Sequence, residues 1–175
     1  MTLVVEDGSA VAGANSYVSL ATADAYFAAR NNLTWDALDP TDTKTPYLIL
    51  AVDYMQQAYR TRWKGWRHLT TQVLDWPRLW VDQFDSPGNY GPFPYYFPPN
   101  TIPQEVITAQ LLLALKLTNG DLAPDLERVE QIVKVGSLQV TYDDRRPPFT
   151  IFRDVEMLLS PFFESSGGMA RIGRL

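Results

Sequence analysis

The stretch TKTPYLILAVDYMQQAYRTRW, residues 43–63, is the clearest helix signal in the chain. Its apolar residues recur at spacings of three and four, which places them on one stripe of an α-helix. Asp42 or Thr43 can cap the start, Pro46 is tolerated in the first turn, and Gly65 ends the helix. We therefore predict an amphipathic helix over Thr43–Trp63. Its core-facing stripe comprises Tyr47, Leu50, Ala51, Tyr54, Met55, Ala58 and Tyr59.

Two more helices follow from their start and stop signals. The alanine-rich segment Ser19–Arg30 has Ser19 or Thr22 available as N-cap. A second helix runs from Thr101, where TIPQ is a capping-box start with Pro103 in the first turn, to Leu117 before Asn119-Gly120. From the predicted helices Thr43–Trp63 and Thr101–Leu117, the residues that we expect in the core are Tyr54, Met55, Ala58, Ile107, Leu111 and Leu115.

The last third of the chain adds a hairpin and a final helix. Residues 130–142 alternate apolar and polar around Gly136-Ser137, which is typical of a two-stranded β-hairpin with a two-residue turn. Apolar residues at helical spacing from Ile151 to Phe162 predict a helix that Pro161 stops. The fold class is therefore mostly α (α+β), a helical bundle with a small hairpin and an extended C-terminal arm.

Length and composition indicate one domain. The chain has 175 residues, 46% of them hydrophobic, which suffices for a sizeable core. We assign residues 1–164 to a single helical domain. Within it, residues 83–100 contain five prolines and form an inserted aromatic loop without regular structure. Residues 165–175 follow a Ser/Gly hinge and are predicted to be a flexible arm.

Several function classes find no support in the sequence. There is no cysteine, no secretory signal at the N-terminus and no apolar run near the ~20 residues that span a bilayer, so we expect a soluble protein without a membrane role. His68 is the only histidine, and no nucleophile turn or phosphate-binding loop is present. The acidic pairs lie in predicted loops, where aspartate is common. We therefore predict no catalytic residue, no metal site and no cofactor.

The segment YRTRWKGWRHLTTQVLDWPR, residues 59–78, is basic and aromatic in a chain whose formal net charge is -5. Trp63 and Trp66 are three apart at the end of the predicted helix and should pack together. Three readings stay open for the segment, namely core packing, a protein interface and base stacking on nucleic acid. The net negative charge counts against nucleic acid. The candidate interface residues are Arg60, Arg62, Trp63, Lys64, Trp66, Arg67, Trp76 and Arg78.

The order of motifs resembles a known family. ANSYVSLATADAYFAAR, AVDYMQQAYRTRWKGWR, QVLDWPR, TIPQEV, VKVGSLQVTY and LLSPF, together spanning nearly the whole chain, are similar to the head-tail adaptor, or connector, proteins of tailed bacteriophages. Some relatives carry the label of DnaT-like single-stranded-DNA-binding protein. Thr22 stands where relatives often have an acidic residue, and the loop over residues 83–100 is longer and more aromatic than expected.

The resemblance implies a virion protein made in the host bacterial cytoplasm, with no enzymatic activity. It would form a homo-oligomeric ring, a dodecamer, below the portal protein, and would let double-stranded DNA pass without binding it tightly. Its tail-side partner would be the next connector or the tail terminator. We name two further sets of candidate contacts, of which the resemblance implies a role for the second and not for the first. The docking loop comprises Phe84, Tyr90, Phe93, Tyr95, Tyr96 and Phe97. The portal-binding arm comprises Met169, Arg171, Ile172, Arg174 and Leu175.

The alternative is a single-stranded-DNA-binding protein, as the family's other label says. The two functions predict different positions for the basic residues. A DNA binder should gather its arginines and lysines along an open groove with exposed aromatic residues. An adaptor should bury Arg60, Arg62, Lys64 and Arg67 between subunits.

Overall fold

The computed structural model describes residues 2–83, 85–86, 95–124, 132–135, 138–141 and 150–164. These residues include five α-helices and a small two-stranded antiparallel hairpin, which confirms the predicted α+β class. The helices are α1 (Leu20–Ala28), α2 (Leu33–Asp36), α3 (Thr45–Tyr59), α4 (Gln104–Lys116) and α5 (Arg153–Leu159). The strands are β1 (Trp66–Arg67), β2 (Arg78–Leu79), β3 (Ile132–Val135) and β4 (Leu138–Thr141).

Helices α3 and α4 pack against each other at the centre, and α5 packs against α4. A turn of π-helix over Pro40–Lys44 leads into α3, which ends at Tyr59 rather than at Trp63. The predicted stripe of α3 is partly wrong. Its buried residues are Leu48, Ile49, Ala51, Val52, Met55 and Tyr59. Leu50, which we placed on the core face, is 48% exposed, because the run LILAV is apolar all round and periodicity alone cannot choose its inner side.

Helix α4 begins at Gln104, after Pro103 in the N-cap position, and no side chain caps it. The predicted capping box with Thr101 is therefore wrong. A Thr101 cap would put Ile102 in the helix directly before a proline, where the α conformation is disfavoured. Of the predicted core residues, Met55 and Leu111 are fully buried. The others lie partly buried against the core, namely Tyr54, Ala58, Ile107 and Leu115.

A buried amide connects the helices to the N-terminal segment. The Gln110 side chain in α4 is fully buried, and its Oε1 accepts a hydrogen bond from the Tyr17 backbone N–H at 3.0 Å. Its Nε2 donates to Ser16 Oγ at 2.7 Å and to the Leu48 carbonyl of α3 at 2.9 Å. One side chain thus satisfies polar groups from three parts of the chain.

The other predicted elements agree with the observed ones in the residues that the structure describes. Ser19, and not Thr22, caps α1 by accepting from the Thr22 N–H at 3.1 Å. Strands β3 and β4 pair antiparallel with Val135 opposite Leu138, as the predicted hairpin requires. Pro161 lies inside a 3-10 turn, Ser160–Phe162, that continues α5. No described helix has the length and apolar character needed to cross a membrane.

Two of the domain predictions remain predictions. Residues 165–175, the proposed arm, lie outside the described residues. Residue 84 and residues 87–94 of the predicted loop over residues 83–100 lie outside them as well. The base of that loop is held by two backbone hydrogen bonds, from Phe97 N to Val81 O at 2.9 Å and from Gln83 N to Tyr95 O at 2.7 Å.

Candidate interaction site around the tryptophan loop

The basic aromatic segment folds into a closed loop, residues 63–80, which we call the tryptophan loop. Its two ends pair as β1 and β2, with Trp66 opposite Leu79 and Arg67 opposite Arg78. The His68 N–H continues the pairing by donating to the Pro77 carbonyl at 3.2 Å. The loop is thus a compact unit that projects from the C-terminal end of α3.

Two of its tryptophans belong to the subunit core. Trp63 is 3% exposed and Trp76 is fully buried, and their rings meet edge to face at 5.7 Å. Phe162 and Phe163, after α5, complete the cluster. Trp63 and Trp76 are therefore corrected from interface to core residues, because burial inside the subunit leaves them no surface for a partner.

Trp66 does not pack with Trp63 as predicted. It is 74% exposed, because the chain leaves helical geometry after Tyr59 and turns at Gly65 with φ +67°. A Cβ on Gly65 would lie 2.0 Å from the Leu79 carbonyl oxygen, so only glycine fits this close approach. Helical spacing therefore does not apply to the two tryptophans.

Arg78 is buried inside the loop, where its side chain binds backbone carbonyl groups. Its guanidinium donates to the backbone carbonyls of Lys64 at 2.8 Å, Gly65 at 2.7 Å and Asp75 at 3.2 Å. Burial lowers the pKa of Arg78 from its usual value, although the nearby Asp75 charge acts in the opposite direction. Because these carbonyls occupy the guanidinium, Arg78 is also corrected from an interface residue to a structural one.

Asp75 accepts hydrogen bonds from two more arginines. Its side chain is 3% exposed, and Oδ1 accepts from Arg60 Nε and Arg67 Nη2, both at 3.0 Å. Arg67 also donates to the Gln72 carbonyl at 3.3 Å. The two arginines keep 47% and 31% of their side-chain surface exposed, and they share the single negative charge of Asp75.

Arg62, directly before the tryptophan loop, binds α5 and the residues that follow it. It makes a bidentate pair with Glu156 of α5, at 2.7 and 2.6 Å, and its guanidinium carbon lies 4.1 Å from the centre of the Phe163 ring. Hydrogen bonding to Glu156 raises the pKa of Arg62. The backbone of Glu164 donates to the Arg62 carbonyl at 2.7 Å. The chain therefore reaches residue 164 firmly attached beside Arg62.

A second aromatic group lies on the outside. We call Trp80 and Tyr96, whose rings meet edge to face at 5.2 Å, the aromatic patch. Trp80 is 64% exposed and Tyr96 is 37% exposed. Sequence analysis missed Trp80, because nothing in the RLWV pattern indicates that its backbone turns left-handed, with φ +60°.

The predicted docking loop divides between surface and core. Tyr95 and Tyr96 are exposed, whereas Phe97 is half-buried and packs on Phe162 with ring centres 5.7 Å apart. Phe97 is therefore corrected to a residue of the core rim. The other docking residues, Phe84, Tyr90 and Phe93, lie outside the described residues.

The remaining candidates, Lys64 and His68, lie in the tryptophan loop. Lys64 is half-buried, and its backbone N–H donates a hydrogen bond to the Phe162 carbonyl at 2.8 Å. His68 is half-buried within the loop. No cluster of three or more histidine or acidic side chains that could hold a metal ion occurs among the described residues.

A family model matches the whole chain, residues 1–175. No match was found among curated proteins or among solved structures. A match over the full length shows the family, and the chain belongs to the family described as "Putative DnaT-like ssDNA binding protein".

Proposed function

We propose that the protein is a structural head-tail adaptor of a tailed phage virion, with no enzymatic activity. In this role it forms a homo-oligomeric ring, a dodecamer, below the portal protein and extends the DNA channel. The ring then docks the next connector or the tail terminator. The motif order described above supports this assignment, and the protein would be made in the host cytoplasm and act in the virion.

The observation that carries the proposal is the pairing of the basic residues. Arg60 and Arg67 bind Asp75, Arg62 binds Glu156, and Arg78 is occupied by backbone carbonyls. Binding to single-stranded DNA needs cations that are free to replace the counterions of phosphates. These arginines instead stabilise the tryptophan loop, so they do not form an open basic groove. The same pairing does not match the burial between subunits that we expected of an adaptor for Arg60, Arg62 and Arg67, so it supports the proposal only by counting against an open DNA-binding groove.

The exposed aromatic patch fits a protein partner. Trp, Tyr and Arg are the residue types that most often dominate the energy of protein interfaces. Trp66 and Trp80 remain largely exposed even though the loop that carries them is held by hydrogen bonds of the buried Arg78 side chain. A rigid loop with exposed aromatic rings loses little conformational entropy when a partner covers it.

We assign the contact with the portal to the arm that follows residue 164. The arm includes Met169, Ile172 and Leu175 for apolar contacts, and Arg171 and Arg174 for hydrogen bonds to carboxylates or carbonyls. Its origin beside Arg62 is held by the Glu164 hydrogen bond. A fixed origin supports an arm that can be removed without unfolding the domain.

Binding to single-stranded DNA is the second candidate, and one observation favours it. Exposed rings such as Trp66 and Trp80 can stack on bases irrespective of sequence. Such binding would rest on stacking with few phosphate contacts, so it should be weak and should depend little on salt.

Two measurements on the full-length protein separate the candidates. One is fluorescence anisotropy with an unstructured labelled oligonucleotide over a range of salt concentrations. The other is co-sedimentation with DNA-filled heads that carry the cognate portal. An adaptor should join the heads and leave the oligonucleotide free at physiological salt. Binding to the oligonucleotide at physiological salt, whether or not it falls as the salt concentration is raised, without attachment to heads would contradict the adaptor function.

A further inference from the structure

We infer that the aromatic patch of one subunit binds the outer face of α5 on a second copy of the chain. This inference rests on the proposed ring, because it names the two surfaces that would join neighbouring subunits. A closed ring needs two different, complementary surfaces on each subunit. The described part of the chain offers such a pair.

The first surface is strained and rigid. Trp80 has φ +60°, a strained conformation that is uncommon for a bulky residue. Burial within the subunit does not offset this strain, since the ring stays 64% exposed. The contact with Tyr96 and the hydrogen bonds between residues 81–83 and 95–97 hold the ring in place. We interpret the strained backbone at the exposed Trp80 ring as a sign that Trp80 contacts another molecule.

The exposed apolar side chains identify the second surface. Ten large hydrophobic residues are exposed among those the structure describes, and six of them lie between residues 66 and 96. Two of the other four, Ile151 and Met157, lie just before and within α5, with exposures of 53% and 67%. Arg153, the first residue of α5, lies between these two residues in the sequence and is also exposed.

The charges of the two surfaces are complementary. Asp82 pairs with Tyr96 of the aromatic patch in an isolated antiparallel bridge, and Asp85, three residues further on, is exposed. Arg153 has no hydrogen-bond or ion partner among the described residues, whereas Arg62 and Lys116 are both paired with acidic residues of α5. An arginine on the second copy could pair with these aspartates or stack on the Trp80 ring. The same aspartates repel phosphates, so the patch favours a protein over nucleic acid.

The absence of cysteine allows a direct test by cross-linking. Tyr95→Cys places a thiol beside the aromatic patch, and Ser160→Cys places one at the end of α5, both at exposed positions. The two single variants are mixed and treated with a short bis-maleimide linker. We expect a cross-linked dimer that contains one copy of each variant. The matched control replaces the α5 variant with Ala28→Cys, an exposed position on α1, and should give several-fold less dimer.

Charge reversal then tests the pairing itself. Asp85→Arg or Arg153→Asp in all subunits should each reduce the dimer yield several-fold, and the two reversals together should restore it. Circular dichroism confirms that each variant is folded. Equal yields from the α5 variant and the α1 control, or reversals without effect, would overturn the inference. Loss of the cross-link on addition of a single-stranded oligonucleotide would also overturn it, in favour of nucleic acid on the patch.

Failure of this inference can be distinguished from failure of the proposed function. A protein that joins portal-bearing heads but gives no such cross-link would be an adaptor whose subunits meet elsewhere. A protein that neither cross-links nor joins the heads would contradict both.

Discussion

Replacing Asp75 by Asn should destabilise the tryptophan loop more than any other single charge removal in this region. Asp75 Oδ1 accepts hydrogen bonds from Arg60 and Arg67, both at 3.0 Å, and its side chain is 3% exposed. Asparagine has nearly the same shape and retains one acceptor oxygen, so the substitution removes the charge with little change in packing.

The expected cost follows from these contacts. Each hydrogen bond changes from charge-assisted to neutral at the acceptor, a loss of about 1 kcal/mol per bond and about 2 kcal/mol for both. Asp75 Oδ2 is buried without a hydrogen-bond partner among the described residues. An amide nitrogen in its place would leave N–H groups without an acceptor, at about 1 kcal/mol more. We expect a total of about 3 kcal/mol and a melting temperature lower by roughly 6 to 12 °C.

The assay is denaturant unfolding followed by tryptophan fluorescence. The matched control is Asp53→Asn, which removes the same charge at an exposed position of α3 and should change the free energy of unfolding by at most about 0.5 kcal/mol. Equal stabilities of the two variants would refute the conclusion that Asp75 holds the loop. The substitution also frees Arg60 and Arg67, so weak, salt-dependent affinity for an oligonucleotide should appear in Asp75→Asn and not in the control.

Three other changes test the fold and the arm. Gln110→Leu leaves the buried Tyr17 N–H without its acceptor and should cost about 2 to 4 kcal/mol in denaturant unfolding, whereas exposed Gln104→Leu should be nearly neutral. Leu111→Ala should cost about 2 to 5 kcal/mol, and an unchanged midpoint would show that α4 does not form the core. Deleting Met169–Leu175 should leave the thermal midpoint nearly unchanged and sharply weaken attachment to portal-bearing heads. Full attachment of the truncated protein would contradict a portal-binding arm.

The helices and the hairpin could be predicted because their signals are local. The central parts of α3 and α4 follow from apolar spacing, and the Ser19 cap and the pairing of β3 with β4 follow from short motifs. Their exact ends could not be predicted in the same way. The start of α4 depends on how Pro103 restricts the residue before it, and the end of α3 depends on how the tryptophan loop packs.

The sequence by itself determined that this is an α+β protein with a basic, aromatic segment in an acidic chain. Only the tertiary structure decided that Leu50 lies outward while Leu48, Ile49 and Val52 are buried, because the run LILAV has no polar residue to mark its outer side. Tertiary packing also separated Trp63 from Trp66, since a left-handed turn at Gly65 ends the helical spacing that would have joined them. The arginines show the same limit of the sequence. Whether a cation is free or paired depends on long-range partners such as Glu156, 94 positions from Arg62, and composition contains no information about such contacts.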